Sequence, residues 1–259
     1  MKPLNINAAK RAAASALLTV FCALSSPAAW AQTDEEIAVE AVDQIKANAL
    51  EVLSILRKDN GSNSAAVRRE AEEYAIPYFD FERMTILAVG SPWKKANAAQ
   101  KKTLTEAFKG MLVRIYSGVM LQFKDSEVTI KDKAVVQNHG RSIIVSSVIA
   151  PSAAGALRRP VRVDYTLRKA GDRYMIYNVS VEDQSLVTVY RNQFKEIVDK
   201  EGFDGLIEQM RDNKIQTKTP GLDADEAAAD AKAGAKEGKP GKEARARSWG
   251  AWILAALAG

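Results

Sequence analysis

The apolar residues of this chain change their period twice, and that change constrains the fold more than any other feature of the sequence. Up to about residue 123 they recur at helical spacing, from 128 to 182 they alternate, and beyond 185 the helical spacing returns. Residues 35–58 bring Ile37, Ala41, Ile45, Ala49, Val52 and Leu56 near one helical face. Asn60-Gly61 interrupts the pattern, and residues 64–75 resume it as a short charged helix. Ile76-Pro77 ends that helix, because a residue before proline is pushed out of the α region. Residues 81–87 read as a helical turn, closed near Gly90 and Pro92. Residues 98–123 form the strongest helix, with a wide stripe of Leu104, Ala107, Phe108, Met111, Leu112, Ile115, Tyr116, Val119 and Met120.

Four strands follow, over 128–137, 142–150, 161–168 and 174–182. The third alternates most cleanly, with Val161, Val163, Tyr165 and Leu167 on one face and Arg162, Asp164, Thr166 and Arg168 on the other. Asn138-His139-Gly140 and Ala170-Gly171-Asp172 are hairpin turns, since Asn and Gly tolerate positive φ. Two more helices, 185–200 and 203–210, are separated by Gly202. The order predicts an α+β domain: a curved antiparallel four-stranded sheet with helices covering one side.

Both ends differ from this middle. Lys2, Lys10 and Arg11, an apolar run over 12–24 and Ala29-Trp30-Ala31 make residues 1–31 a cleavable signal peptide, with a mature start at Gln32. The apolar run is too short for the ~20 residues of a membrane anchor. The only cysteine, Cys22, lies inside it behind bulky Phe21, which argues against a lipoprotein and leaves the mature chain without thiol chemistry. The globular domain is expected over 32–216 and a disordered Ala-, Lys-, Gly- and Glu-rich tail over 217–259. That tail ends in an apolar stretch bearing Trp249 and Trp252, which composition leaves open as an interfacial anchor or an inert extension.

The net charge of +5 belongs to those ends. The leader holds three bases and no acid, and the segment from Asn213 holds eight Lys or Arg against six Asp or Glu. The domain between is about neutral, which argues against nucleic acid as a partner. Catalytic machinery is equally scarce. The single histidine, His139, sits in a hairpin tip, and histidine or thiolate metal sites fail by counting. Ser91-Pro92-Trp93-Lys94 has serine–lysine spacing without its companion motifs, and Gly234–Lys239 lacks phosphate-loop spacing. Asp80, Glu82 and Asp164 are acids that a cavity enzyme would need buried, and Asp164 falls on the polar strand face. No metal or cofactor is expected.

What the sequence has in excess is apolar bulk. Phe81, Met84, Leu87, Trp93, Phe108, Met111, Leu112, Tyr116, Met120, Val163, Tyr165, Tyr177, Val179, Leu186, Tyr190 and Phe194 are more than a thin helix-on-sheet layer needs. Each alone reads as core, and together they suit the lining of a cavity for an apolar ligand.

Two stretches carry a resemblance. The first runs from Phe79-Asp80-Phe81-Glu82-Arg83-Met84 through Val89-Gly90 and Trp93-Lys94-Lys95-Ala96 to Gln100 and Phe108. The second is Val179-Ser180-Val181-Glu182-Asp183-Gln184-Ser185-Leu186-Val187-Thr188-Val189-Tyr190-Arg191-Asn192-Gln193-Phe194, with Gly202-Phe203-Asp204-Gly205-Leu206 beyond it. Both resemble the MlaC, or toluene-tolerance, family, over roughly residues 33–210. The chain departs where Asp183-Gln184 replaces the usual Gly-Val, and its tail has no counterpart. The resemblance implies an NTF2-like sheet, an apolar lipid cavity between sheet and helices, and no catalysis. It implies a monomeric periplasmic carrier of phospholipid between an inner-membrane ABC transporter with an MCE-domain ring and an outer-membrane lipoprotein–porin complex. A hopanoid or similar lipid is an alternative cargo. An NTF2-like enzyme on an apolar substrate, or a membrane-tethered scaffold, are the alternative roles.

Overall fold

The computed structural model describes residues 32–117, 120–150 and 159–215. The expected leader, its cleavage site and the tail lie outside the described residues. The chain divides into two units, Met1–Thr33 and Asp34–Gly259, and every element below belongs to the second.

Helix α1 (Asp34–Leu56) opens with Asp34, Glu35 and Glu36, which favour the positive end of its dipole. It buries all six residues that the helical spacing selected, and Val42 and Leu53 besides. Helix α2 (Ser64–Ala75) ends where expected, but for another reason. Ile76 remains in the α region (φ −49°, ψ −41°) despite the following proline. The chain tightens there into a 3-10 turn over Ile76–Tyr78 that seats Pro77 in its first turn, where a missing N–H costs nothing. Helix α3 (Phe81–Val89) runs two residues further than its sequence pattern and stops at Gly90, whose φ of 69° and ψ of −141° disfavour an L side chain. A 3-10 turn (Ser91–Lys95) leads into helix α4 (Ala98–Ser117). The single helix expected over 98–123 is therefore two elements, α4 and a separate 3-10 turn at Met120–Phe123.

The sheet has six strands rather than four, all antiparallel: β1 (Glu127–Ile130), β2 (Val135–Gln137), β3 (Ser142–Ala150), β4 (Val161–Ala170), β5 (Arg173–Val181) and β6 (Gln184–Ser185). The strand expected over 128–137 is split. β1 pairs with the far half of β3 (Val128 opposite Ile149) and β2 with its near half (Val136 opposite Ile143). Between them lies Lys131-Asp132-Lys133, poor strand formers, with Asp132 drawn to Lys46 of α1 at 2.7 Å. Strands β3, β4 and β5 form the body of the sheet in hairpin order. Their register slips once: Thr166 faces Asn178 and Leu167 faces Ile176, so Tyr177 is an extra residue on β5. Such a bulge bends and twists the sheet. Asn138, His139 and Gly140 all take left-handed φ (52°, 55°, 77°), as their residue types suggested.

Helix α5 (Leu186–Arg211) is two helices joined across Gly202 (φ 72°, ψ −171°), the break read from the sequence. α1, α3 and α5 approach the sheet, and α4 packs on α3 and α5. The enclosed sheet face carries buried Ile143, Val145, Ser147, Val161, Val163, Tyr165 and Leu167, whereas Arg162, Asp164, Thr166 and Arg168 are only half-buried on the other. Among the described residues, no helix is long and apolar enough to cross a membrane.

Candidate functional site

The apolar layer between sheet and helices is built from four directions. From the sheet, alternation brings Val163 and Tyr165 of β4 and Val179 of β5 to the enclosed face, all buried, with Tyr165 directly opposite Val179. From α4 come Phe108, Met111, Leu112 and Tyr116, spaced at three and four residues and all buried. From α5 come Leu186, Tyr190 and Phe194 on the same spacing. Met84 of α3 and Met120 of the 3-10 turn fill the flanks. Phe108 sits edge-on to both Tyr190 and Phe194, at centroid distances of 5.3 and 5.2 Å, the geometry that ring quadrupoles favour.

The other four candidates form a rim. Phe81 and Leu87 are only partly buried, and Trp93 and Tyr177 keep an exposed edge. Three of these rings carry a cation: Lys109 Nζ lies 5.8 Å from the Phe81 centroid, Lys101 Nζ 5.7 Å from Trp93, and Arg83 Cζ 4.6 Å from Tyr177. Val119, also read as part of the stripe, lies outside the described residues.

Sequence reasoning missed Ser147. Alternation alone marks its position as inward-facing, but its polarity hid it. It is wholly buried on the enclosed face of β3, and its Oγ lies 3.1 Å from the Tyr165 hydroxyl. Tyr116 of α4 and Tyr190 of α5 bring two more buried phenols into the layer, close to one another. Burial pushes all three phenols well above the ordinary tyrosine range, so they stay neutral at any physiological pH. The layer can therefore hold apolar material, with a few neutral hydroxyls in it and no charge.

The acids considered for catalysis have other duties. Asp80 accepts a hydrogen bond from Arg83 N at 2.9 Å through Oδ1, capping α3. Its Oδ2 accepts from Arg168 Nε of β4 at 2.6 Å. Asp164 is on the outer sheet face beside Arg162, at 3.3 Å. Glu82 is exposed in the first turn of α3, where its charge favours the helix dipole. Among the described residues no cluster of His, Cys, Asp or Glu could hold a metal. A cleft of about 620 Å³ between the start of α4 and the end of α5 is lined by Asn97, Gln100, Thr103, Asp204, Glu208 and Arg211, polar groups that do not suit an acyl chain.

The model of the MlaC protein family matches residues 46–212, spanning α1 to the end of α5. The chain belongs to the MlaC family. That is a family of lipid-binding carriers rather than enzymes. The fold is similar to that of a phospholipid-binding protein from Ralstonia solanacearum, solved at 1.53 Å in complex with a phospholipid. The two agree with a TM-score of 0.58 and 22% sequence identity, over 67% of this chain and 96% of that one. Like MlaC proteins as a class, this chain is α+β, with helices on one side of an antiparallel sheet.

Proposed function

We propose that this MlaC protein is a periplasmic phospholipid carrier whose acyl chains lie in the apolar layer between β3–β5 and helices α4 and α5. The observation that carries the reading is the family match across nearly every described element. The Ralstonia protein of similar fold, solved with a phospholipid, supports the same cargo class. The lining is Met84, Phe108, Met111, Leu112, Tyr116, Met120, Val163, Tyr165, Val179, Leu186, Tyr190 and Phe194, with Phe81, Leu87, Trp93 and Tyr177 at the mouth.

The physical need is simple. Two acyl chains hold on the order of 30 methylenes at about 0.8 kcal/mol each in water, so unaided crossing of an aqueous gap costs roughly 20 kcal/mol or more. A protein sheath removes that barrier without any catalytic group. In this reading the carrier moves phospholipid between an inner-membrane ABC transporter with an MCE-domain ring and an outer-membrane lipoprotein–porin complex. It acts as a monomer exported by cleavage after Ala31. Native mass spectrometry of protein purified from cells tests the reading. The expected spectrum shows one phospholipid mass bound, and protein consistently free of lipid would overturn it.

A further inference from the structure

The domain is neutral in sum but not in distribution. Helix α1 carries Asp34, Glu35, Glu36, Glu40, Asp43 and Glu51 against the single base Lys46. From Arg83 to Arg114 the balance inverts: Arg83, Lys94, Lys95, Lys101, Lys102, Lys109 and Arg114 face one acid, Glu106. Arg114 is committed, donating to Met210 O at 2.6 Å. The other six form no ion pair among the described residues, whose ion pairs all fall elsewhere. α3 packs against both the Ser91–Lys95 turn and α4, so these cations are carried by adjoining elements. Three of them rest on the rim rings, and Ile86 beside them is exposed.

We infer that this α3–α4 side is a docking face for an anionic phospholipid bilayer. The occupant follows from the kind of charge. Five of the six free cations are lysines, compact charges on flexible stems that adapt to a fluid head-group layer; a fixed protein partner is better read by the planar fork of arginine. Two acids, Glu82 and Glu106, stand among the seven bases of α3, the turn and α4, so the net attraction is for negative charge. Trp93 has the amphipathic ring that settles at a membrane–water boundary. A second copy offering its acidic α1 would make a heterologous head-to-tail contact, visible as self-association. The inference rests on charge placement and survives if the cargo proves not to be phospholipid.

The test is co-sedimentation of the full chain with vesicles of phosphatidylglycerol and of phosphatidylcholine, at low and high salt. Each cation near such a surface raises binding about fivefold. The variant K94E/K95E/K102E is therefore expected to lose more than tenfold in affinity for phosphatidylglycerol, with its bound lipid by native mass spectrometry unchanged. Binding to phosphatidylcholine is expected to be weak for both proteins. Four outcomes overturn the inference. These are equal binding to the two lipids, undiminished binding by the variant (which places docking elsewhere, as on the tail), loss of bound lipid with loss of docking, and salt-sensitive self-association that the substitutions abolish.

Discussion

Replacing Val163 with tryptophan separates a lipid-lined layer from a solid core. Val163 is wholly buried in β4, between Ser147 of β3 and Val181 of β5. In a solid core, inserting an indole there forces side chains off their rotamers at a cost of typically 1–3 kcal/mol. For a domain of this size each kcal/mol lowers Tm by about 2–4 °C, so the core expectation is a loss of roughly 2–12 °C. In a layer that opens for acyl chains, the indole occupies the space of the chain. The delipidated protein then melts within about 2 °C of its parent, and lipid recovered per protein falls by more than half. Ala71→Leu supplies the reference for overpacking, since Ala71 is wholly buried on α2, away from the proposed lining. The assay is thermal melting of both variants after delipidation, with lipid measured before it. Should Val163→Trp melt as low as Ala71→Leu while retaining its lipid, the site assignment is wrong.

Other predictions concern the frame around that layer. Asp80→Ala removes a helix cap and one partner of a half-exposed ion pair with Arg168, so it is expected to cost about 2 kcal/mol in urea unfolding. Asp80→Asn keeps the capping oxygen and is expected to cost about half as much, and equal losses would refute the two-part role. Asp183 adopts φ 68° in the turn before β6, a left-handed conformation that favours glycine. Asp183→Gly is therefore expected to hold or raise stability, and Asp183→Val to lower it by about 1–2 kcal/mol, measured in the same way. The Asp59 carboxyl is held below the usual range by its hydrogen bond from Ser64 and then by Lys124. A depressed folded pKa contributes stability above the unfolded value, near 3.8, and loses it as pH falls through the folded value. Urea titrations below about pH 4 are thus expected to be flatter for Asp59→Asn than for the parent.

Much of this architecture was legible because period and burial are both local properties of the chain. The alternation of Val161 to Arg168 shows each residue's face directly, and the α1 stripe selects six buried positions. What escaped detection depends on partners distant in sequence. The first strand is split because its two halves pair with different parts of β3, a partner that its own residues do not name. The fate of Ile76 is a matter of how Pro77 seats in a 3-10 turn, which a rule about dipeptides does not contain. In the candidate site, the stripe on α4 and the aromatics of α5 were visible as periodic patterns. The sorting into interior and rim was not, because it depends on Lys101, Lys109 and Arg83 arriving over the rings of Trp93, Phe81 and Tyr177. Ser147 escaped because a lone hydroxyl in a strand has no signal until its partner, Tyr165, is known.

The placement of directional bonds explains how such a layer can change its contents. α1 is fastened to β5 at two points, Gln44 Nε2 donating to Tyr174 O at 2.7 Å and Tyr174 N to Gln44 Oε1 at 2.8 Å. α3 is fastened to β5 where Asp80 N donates to Ile176 O at 2.8 Å, and to β4 through Arg168. α5 is fastened to α3 where Arg191 Nε donates to Leu87 O at 2.8 Å, beside the Gly90 stop. α4 is fastened to the end of α5 by Arg114. Most of these bonds involve residues near the ends of elements, such as Asp80, Leu87, Arg114, Arg168 and Tyr174. Hydrogen bonds depend steeply on angle and distance, whereas apolar contact depends mainly on area removed from water. These bonds therefore fix where each helix stands over the sheet, and the interior imposes little geometry of its own. Acyl chains that replace side-chain contacts between Phe108, Tyr190 and the β4 face exchange one apolar contact for another. The Ser147–Tyr165 hydroxyl pair has geometry to lose, and it can remain self-satisfied as the layer opens around it.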